Sequence, residues 1–376
     1  MDIPQAKAVQ NLDAKGNLSY TEDAITLSGL DVKTSGGAVN GSYTGGAVIS
    51  ETKSAQGEFS VDTTSVPNLV KLLELDVPQA AALQSLNAKG SVNYSEDTIK
   101  LSGLDVKTSG GAVNGSYSGG AVISETKSAQ GAFTVDTASV PNLVKLLELD
   151  IPQAAALQSL NAKGSLNYAG DVISVNGLDV KSNGGAVSGS YNGDVKITDK
   201  TPNANGQFSV DIPSVAKANK VANLKIDAAN AVGSLKASGG LNLAGKNISF
   251  TGLDATTAGD LINGHYAGTA RIGDVTGYDG HFTTTLTSLD EMSKRANIDI
   301  PYANAIGTIN VEGNISGQGE TLKFHTLNAS LSDGQLNGKF TGAASLNNGL
   351  SLDGDLSADI PSLLSLIHIS EPTRPY

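Results

Sequence analysis

A 74-residue phrase that returns almost unchanged is the feature that most limits what this chain can fold into. Asp2, Asp76 and Asp150 each open a unit with Ile-Pro-Gln or Val-Pro-Gln, 74 residues apart both times. Roughly four in five positions match between the first two units, more than packing alone requires. Recent duplication or an assembly error in the source sequence would each produce such identity. Two diverged units follow, opening at Ile226-Asp227 and Ile298-Asp299. Recurring markers keep the register. Gly-Leu-Asp begins at Gly29, Gly103, Gly177 and Gly252, with Leu327 in the fifth slot. An aromatic column runs through Tyr43, Tyr117, Tyr191, Tyr266 and Phe340, and a second column through Phe59, Phe133, Phe208, Phe282 and Leu356. The units are therefore 2–75, 76–149, 150–225, 226–297 and a truncated 298–363. Such an array holds together by contacts between neighbouring units, not by one central core.

Within a unit the hydrophobic pattern has a period of two. Ser91-Val-Asn-Tyr94 and Thr98-Ile-Lys-Leu101 alternate; Ser102-Gly103 shifts the phase by one, as a bulge does; Leu104-Asp-Val-Lys107 alternates again. Ala88-Lys-Gly90 reads as a turn. Ala112 to Tyr117 reads as a strand with Val113 and Tyr117 on one face. Ala121 to Ile123 reads as a further short strand, and Gly131 to Asp136 as the last, with Phe133 and Val135 together. Four or five short antiparallel strands per unit result. The joint Ser139-Val-Pro-Asn-Leu-Val-Lys-Leu-Leu-Glu-Leu-Asp150 reads as a helix, with Ser139 as cap and Pro141 just inside the start. The Ala-rich stretch from Val77 to Leu86 adds a helical turn or two.

Each strand has one apolar and one polar face, and the joint helices cover only part of the apolar one. The expected fold is mostly β with short helices: an elongated array of about five 74-residue units of antiparallel strands, bent into a groove. The expected apolar strip contains Val92, Tyr94, Ile99, Leu101, Val113, Tyr117, Phe133 and Val135, with Tyr43, Tyr191, Tyr266 and Phe340 as equivalents. The aromatic column suits a ligand groove as well as it suits packing between repeats.

Composition narrows the function. Net charge is −12, and the lysines are scattered singly among acids, so nucleic acid is not an expected partner. There is no Cys, which removes thiol chemistry. No nucleophile–base set is evident, and no enzyme, metal or cofactor is expected. His265, His281 and His325 occupy unrelated slots. Asp31, Asp105, Asp179 and Asp254 recur, but each Gly-Leu-Asp offers one carboxylate, whereas calcium needs several converging oxygens. The Gly-Gly pairs at 36–37, 110–111 and 184–185 lack the Lys-Ser/Thr of a phosphate loop.

Both ends read as foreign to the repeat. Met1 abuts the first unit without a leader, as a cut end would. Leu364-Ser-Leu-Ile-His-Ile-Ser-Glu-Pro-Thr-Arg374 resembles the translation of a sequencing-library adapter. Residues 364–376, His368 included, are therefore set apart as an adapter-derived tail.

The cycle of Phe133-x-Val-Asp-x-x-Ser-Val-Pro-Asn-Leu-Val-Lys-Leu-Leu147, Gly-x-Leu/Val-Asn-Tyr, Leu-Ser-Gly-Leu-Asp-Val and Asn-Gly-Ser-Tyr resembles the repeats of the AsmA family of Gram-negative envelope proteins. The likeness runs over residues 2–363. It is weaker in the fourth and fifth units, and Val215-Ala-Lys-Ala-Asn219 and Leu289-Asp-Glu-Met-Ser293 replace the Pro-Asn-Leu-Val helix. The resemblance implies a periplasmic segment of a protein anchored in the inner membrane outside this stretch. It implies a role in outer-membrane biogenesis and phospholipid homeostasis, with lipid acyl chains held along an apolar trough and envelope proteins as partners. The rival expectation is a structural or adhesive repeat protein of the cell surface, which the Gly/Ser/Thr/Asn-rich, acidic composition suits.

Overall fold

The computed structural model describes residues 10–72, 80, 82–146, 152–223, 227–296, 299–301, 303–319, 321–347 and 349–359. The chain is mostly β. The first repeat gives β1 (Asn11–Tyr20), β2 (Ile25–Ser35), β3 (Asn40–Ile49), β4 (Ser54–Thr63) and α1 (Val66–Leu72). The second gives β5 (Ser85–Ser95), β6 (Thr98–Ser109), β7 (Asn114–Ile123), β8 (Ser128–Thr137) and α2 (Val140–Leu146). The third gives β9 (Leu157–Ala169), β10 (Val172–Gly185), β11 (Ser188–Thr198), β12 (Thr201–Ile212) and α3 (Val215–Ala222). The fourth gives β13 (Ser234–Ala244), β14 (Asn247–Ala258), β15 (Ile262–Ile272), β16 (Gly277–Leu286) and α4 (Leu289–Ala296). The fifth gives β17 (Thr308–Gln318), β18 (Thr321–Ser332), β19 (Asn337–Leu346) and β20 (Leu350–Asp359).

Two compact units divide the chain, 1–184 with 192–202 and 185–191 with 203–376. In the first, β1 to β9 pair antiparallel in chain order. In the second, β12 to β20 do the same. Each unit is an open sheet. Among the described residues β1 pairs only with β2, and β20 only with β19.

Four strands make a repeat, each of 10 to 14 residues. The phase shift at Ser102-Gly103 is a bulge inside one strand: the β5–β6 register slips between Lys89 and Ser91, and Gly103 sits at φ +58°. Ala88-Lys-Gly90 is no turn, because it lies within β5 opposite the bulge. Ala121–Ile123 continues β7, where a Cβ on Gly119 would come within 2.6 Å of the Gly131 Cα on the paired strand. Val113 precedes β7; its N–H donates to the Ala82 carbonyl of the linker at 3.2 Å.

The joint helix is present, its described residues running from Val140 to Leu146. Leu147 and Leu149 lie outside the described residues, as do 364–376 and part of the Val77–Leu86 stretch. In the third repeat the equivalent Ala-rich stretch, Pro152–Ala156, is a 3₁₀ turn. Ser139 is the cap the sequence predicts, and the other joints repeat it. The hydroxyl oxygens of Ser65, Ser139, Ser214 and Ser288 each accept from the backbone N–H three residues on, at 3.2 to 3.4 Å.

The tightest packing is at the joints, not over the sheet. Thr63 and Val66 are buried with Ala80 and Ala82, and Thr137 and Val140 are buried like Ala154 and Ala156. Ala218, Ala222, Ala229 and Ala231 repeat the pattern. Thr63 and Thr137 are the largest side chains that are fully buried among the described residues. Each accepts a hydrogen bond on its hydroxyl from the cap serine's N–H, at 3.2 Å. Small side chains let the helix, the linker and the strand end approach closely.

Candidate functional site

The apolar face follows from the period of two once the bulge is allowed for. Direct opposition in the ladders carries it from strand to strand: Tyr94 with Ile99, Val92 with Leu101, Leu101 with Ala121, Val106 with Tyr117, Tyr117 with Phe133 and Val135 with Ala162. Seven of the eight residues first named for the strip thus share one face and are half-buried; Val113 is the exception, in the loop before β7. Tyr43 stands opposite Phe59 in the first repeat, Tyr266 opposite Phe282 and Phe340 opposite Leu356. Tyr191 is a half-buried residue of β11.

The aromatic columns rest on glycine. A Cβ on Gly131 would come within 2.8 Å of the Tyr117 ring, and one on Gly57 would meet the Tyr43 ring at the same distance. The hydroxyls are tied back to their own strand: Tyr117 donates to the Gly120 carbonyl at 2.8 Å, Tyr43 to Gly46 at 3.0 Å and Tyr266 to Thr269 at 2.7 Å. Burial pushes the Tyr117 and Tyr266 phenols above their ordinary range. The phenylalanines use a second glycine. Phe59, Phe133, Phe208 and Phe282 lie opposite Gly90, Gly164, Gly239 and Gly313, each in the first strand of the next repeat. The sequence columns gave no hint of that pairing, because each phenylalanine and its glycine belong to different units.

The polar face is a lattice of short side chains and ion pairs. Ser42 with Ser60 and Ser116 with Thr134 make hydroxyl contacts of 2.8 Å. The recurring Gly-Leu-Asp carboxylates are used here: Lys15 reaches Asp31 at 3.0 Å, Lys89 reaches Asp105 at 3.5 Å and Lys163 reaches Asp179 at 3.4 Å. His265 meets Asp254 at 3.3 Å. His281 contacts Asn314, and His325 contacts Ser316. Among the described residues no three His, Asp or Glu gather as metal ligands, and no helix is long and apolar enough to cross a membrane. Depressions of about 570 Å³ in the first unit, at Asp13, Lys33, Ser42 and Asp62, and about 410 Å³ in the second, at Thr283, Asn310, Glu312 and Lys339, open on this polar face.

Comparison of the chain with protein-family models, with curated proteins and with solved structures finds no match.

Proposed function

We propose that this chain is a non-enzymatic, AsmA-like segment that holds lipid acyl chains against the apolar face of its sheet. In this reading it works in the periplasm, in outer-membrane biogenesis and phospholipid homeostasis, as part of a protein anchored in the inner membrane. Envelope proteins would be its further partners. One observation carries the reading. The apolar face continues from strand to strand, and most of its large side chains among the described residues are half-buried, with Leu104, Leu286 and Leu327 the buried ones. An acyl chain lying there gains about 0.8 kcal/mol for each CH₂ removed from water. A face built from similar contacts in successive strands offers no single tight site, so a chain can slide along it.

The test is native mass spectrometry with lipid extraction on the purified 376-residue chain. Val92→Asp places a charge on the apolar face, and Asn93→Asp places one on the opposite face of the same strand. Phospholipid carried by wild type and Asn93→Asp but lost from folded Val92→Asp is the expected result. Lipid retained by Val92→Asp, or absent from all three, overturns the reading.

A structural or adhesive role is the second reading. The observation that favours it is that the aromatic residues are already satisfied, rings on glycine and hydroxyls on their own strand, while the depressions open on the polar face. Lipid-free, folded protein in the same experiment supports it.

A further inference from the structure

The apolar face of the first unit is closed along one side and open along the other. One side of the sheet bears the joints; the other bears the hairpin turns at 21–24, 50–53, 96–97, 124–127 and 170–171. Toward the joints the face is covered: Leu104 is 8% exposed and Ala162 9%. Toward the turns it is not. Outside β1, the exposed large apolar residues described in this unit are Ile49, Ile123 and Ile173, at 47%, 44% and 37%. Ile49 and Ile123 end β3 and β7, and Ile173 is the second residue of β10, so each stands beside a turn. Ile123 lies opposite Ile99, which lies opposite Tyr94 on the apolar face. Ile49 lies opposite Ile25 in the same slot one repeat earlier, and Ile173 takes the slot of Ile99 one repeat later.

The surplus charge of this unit gathers along the same open side. Within β1–β9 six acids stand against six lysines, and pairs such as Lys15–Asp31 and Lys89–Asp105 offset one another. The turns are unbalanced. Those flanking Ile49 carry Glu22, Asp23 and Glu51 against Lys53, and those flanking Ile123 carry Glu96, Asp97 and Glu125 against Lys127. All six acids are exposed. Backbone hydrogen bonds hold neighbouring turns side by side: the Glu96 N–H donates to the Lys53 carbonyl at 3.1 Å, and the Gly170 N–H to the Lys127 carbonyl at 3.2 Å. In the second unit Ile272 occupies the same slot and is 52% exposed, but its flanking turns, 245–246 and 273–276, hold one lysine and one acid, Lys246 and Asp274.

We propose that the first unit selects phospholipids whose head group carries an ammonium, as ethanolamine phospholipids do, over anionic ones. This rests on the reading of the apolar face as an acyl-chain site and adds the class of lipid that suits it. Acyl chains laid on the face leave the head group at its open side, because the joints occupy the other. There an ammonium is attracted by the carboxylates on both flanks of Ile49 and Ile123. A head group of net negative charge is repelled by the same carboxylates. These charges are exposed, so each interaction is small and salt weakens it. The selection is therefore modest and belongs to the first unit; the second takes either lipid.

The test loads the full chain from vesicles of equimolar phosphatidylethanolamine and phosphatidylglycerol with matched acyl chains, then extracts and quantifies the lipid carried. In low salt the ethanolamine lipid should exceed the glycerol lipid about two- to fivefold. In about 1 M salt, where screening acts over about 3 Å, the ratio should approach the one supplied. Combined Glu51→Gln, Glu96→Gln and Glu125→Gln should leave the amount of lipid unchanged and bring its ratio toward the one supplied. Combined Glu51→Lys and Glu125→Lys should shift it toward the glycerol lipid. Lipid carried at the supplied ratio by wild type and both variants, or enriched in the glycerol lipid by wild type, overturns the selection and leaves the acyl-chain reading standing. No lipid carried by any of them overturns that reading and the selection with it. A lipid-free dimer that Ile123→Asp turns into a monomer would then assign the isoleucine column to a second copy of the chain.

Discussion

Phe208 and Phe250 meet edge to face with 5.3 Å between ring centroids, although β13 runs between their strands. Gly239 on β13 leaves the gap they fill, and Phe282 and Phe324 repeat the contact at 5.6 Å across Gly313. A side chain from one repeat thereby packs on a side chain two strands away, through a residue that has none. In this chain the glycine fastens one repeat to the next.

The fastening is testable at Phe133 and Gly164. A Cβ at Gly164 would meet Val175 Cγ1 at 3.0 Å and both the Leu178 Cα and the Phe133 ring at 3.3 Å. Gly164→Ala should cost about 1–3 kcal/mol through overpacking. Phe133→Ala should cost about 2 kcal/mol, below the figure for a fully enclosed ring because Phe133 is half-buried. Urea unfolding of both variants checks the values, and their double variant should cost less than the sum, since both act on one contact.

The bulge glycines separate backbone strain from steric room. Gly103 has φ +58° and open space where a Cβ would go, so Gly103→Ala should cost about 1 kcal/mol from backbone conformation alone. In the fifth repeat the same slot holds Thr326 at φ +51°, an unfavourable conformation for a β-branched residue. Thr326→Gly should therefore stabilise, by about 1 kcal/mol at most, because the hydroxyl's hydrogen bond from Asn314 at 3.0 Å is lost. Thermal unfolding midpoints of the two variants should move in opposite directions.

Removing a helix cap should be felt at the joint. Ser139→Ala deprives the Asn142 N–H of its acceptor and should cost about 1 kcal/mol. Amide exchange is expected to speed up in α2 first.

One exposed ion pair sets an acid response. Arg295 in α4 donates to both oxygens of Asp260, at 3.1 and 2.8 Å. The Arg295 hydrogen bonds hold the Asp260 carboxyl below its ordinary range. Its contribution is present above the unfolded-state value and is lost as pH falls through the lower folded-state value. Arg295→Gln should return Asp260 to the ordinary carboxylate range in an NMR titration. The variant's stability should differ from wild type near neutral pH and converge with it in acid.

The legible part of this fold was whatever repeats locally. Alternation in Ser91–Tyr94 and Thr98–Leu101, and the slip at Gly103, specify strands, a bulge and one shared apolar face. Ser139 announces the cap. What escaped depends on partners far along the chain. Gly90 reads as a turn residue until Phe59 of the preceding repeat is placed opposite it. Val113 has the parity of Tyr117, but its N–H is claimed by Ala82 in the linker, and the strand starts one residue later. The joint core was missed because alanines and a threonine carry too little hydrophobic signal to mark a core by themselves.

The likeness between repeats has a cost in folding. β5 reads Ser-Leu-Asn-Ala-Lys-Gly-Ser-Val-Asn-Tyr-Ser, and β9 contains Ser-Leu-Asn-Ala-Lys-Gly-Ser-Leu-Asn-Tyr-Ala. β4 therefore has two nearly equivalent seats, and taking the second loops out an entire repeat between them. A chain refolding all at once from denaturant must sort these seats by trial. One emerging from its N-terminus meets the correct seat first, so the order of synthesis itself serves as the proofreader of repeat order.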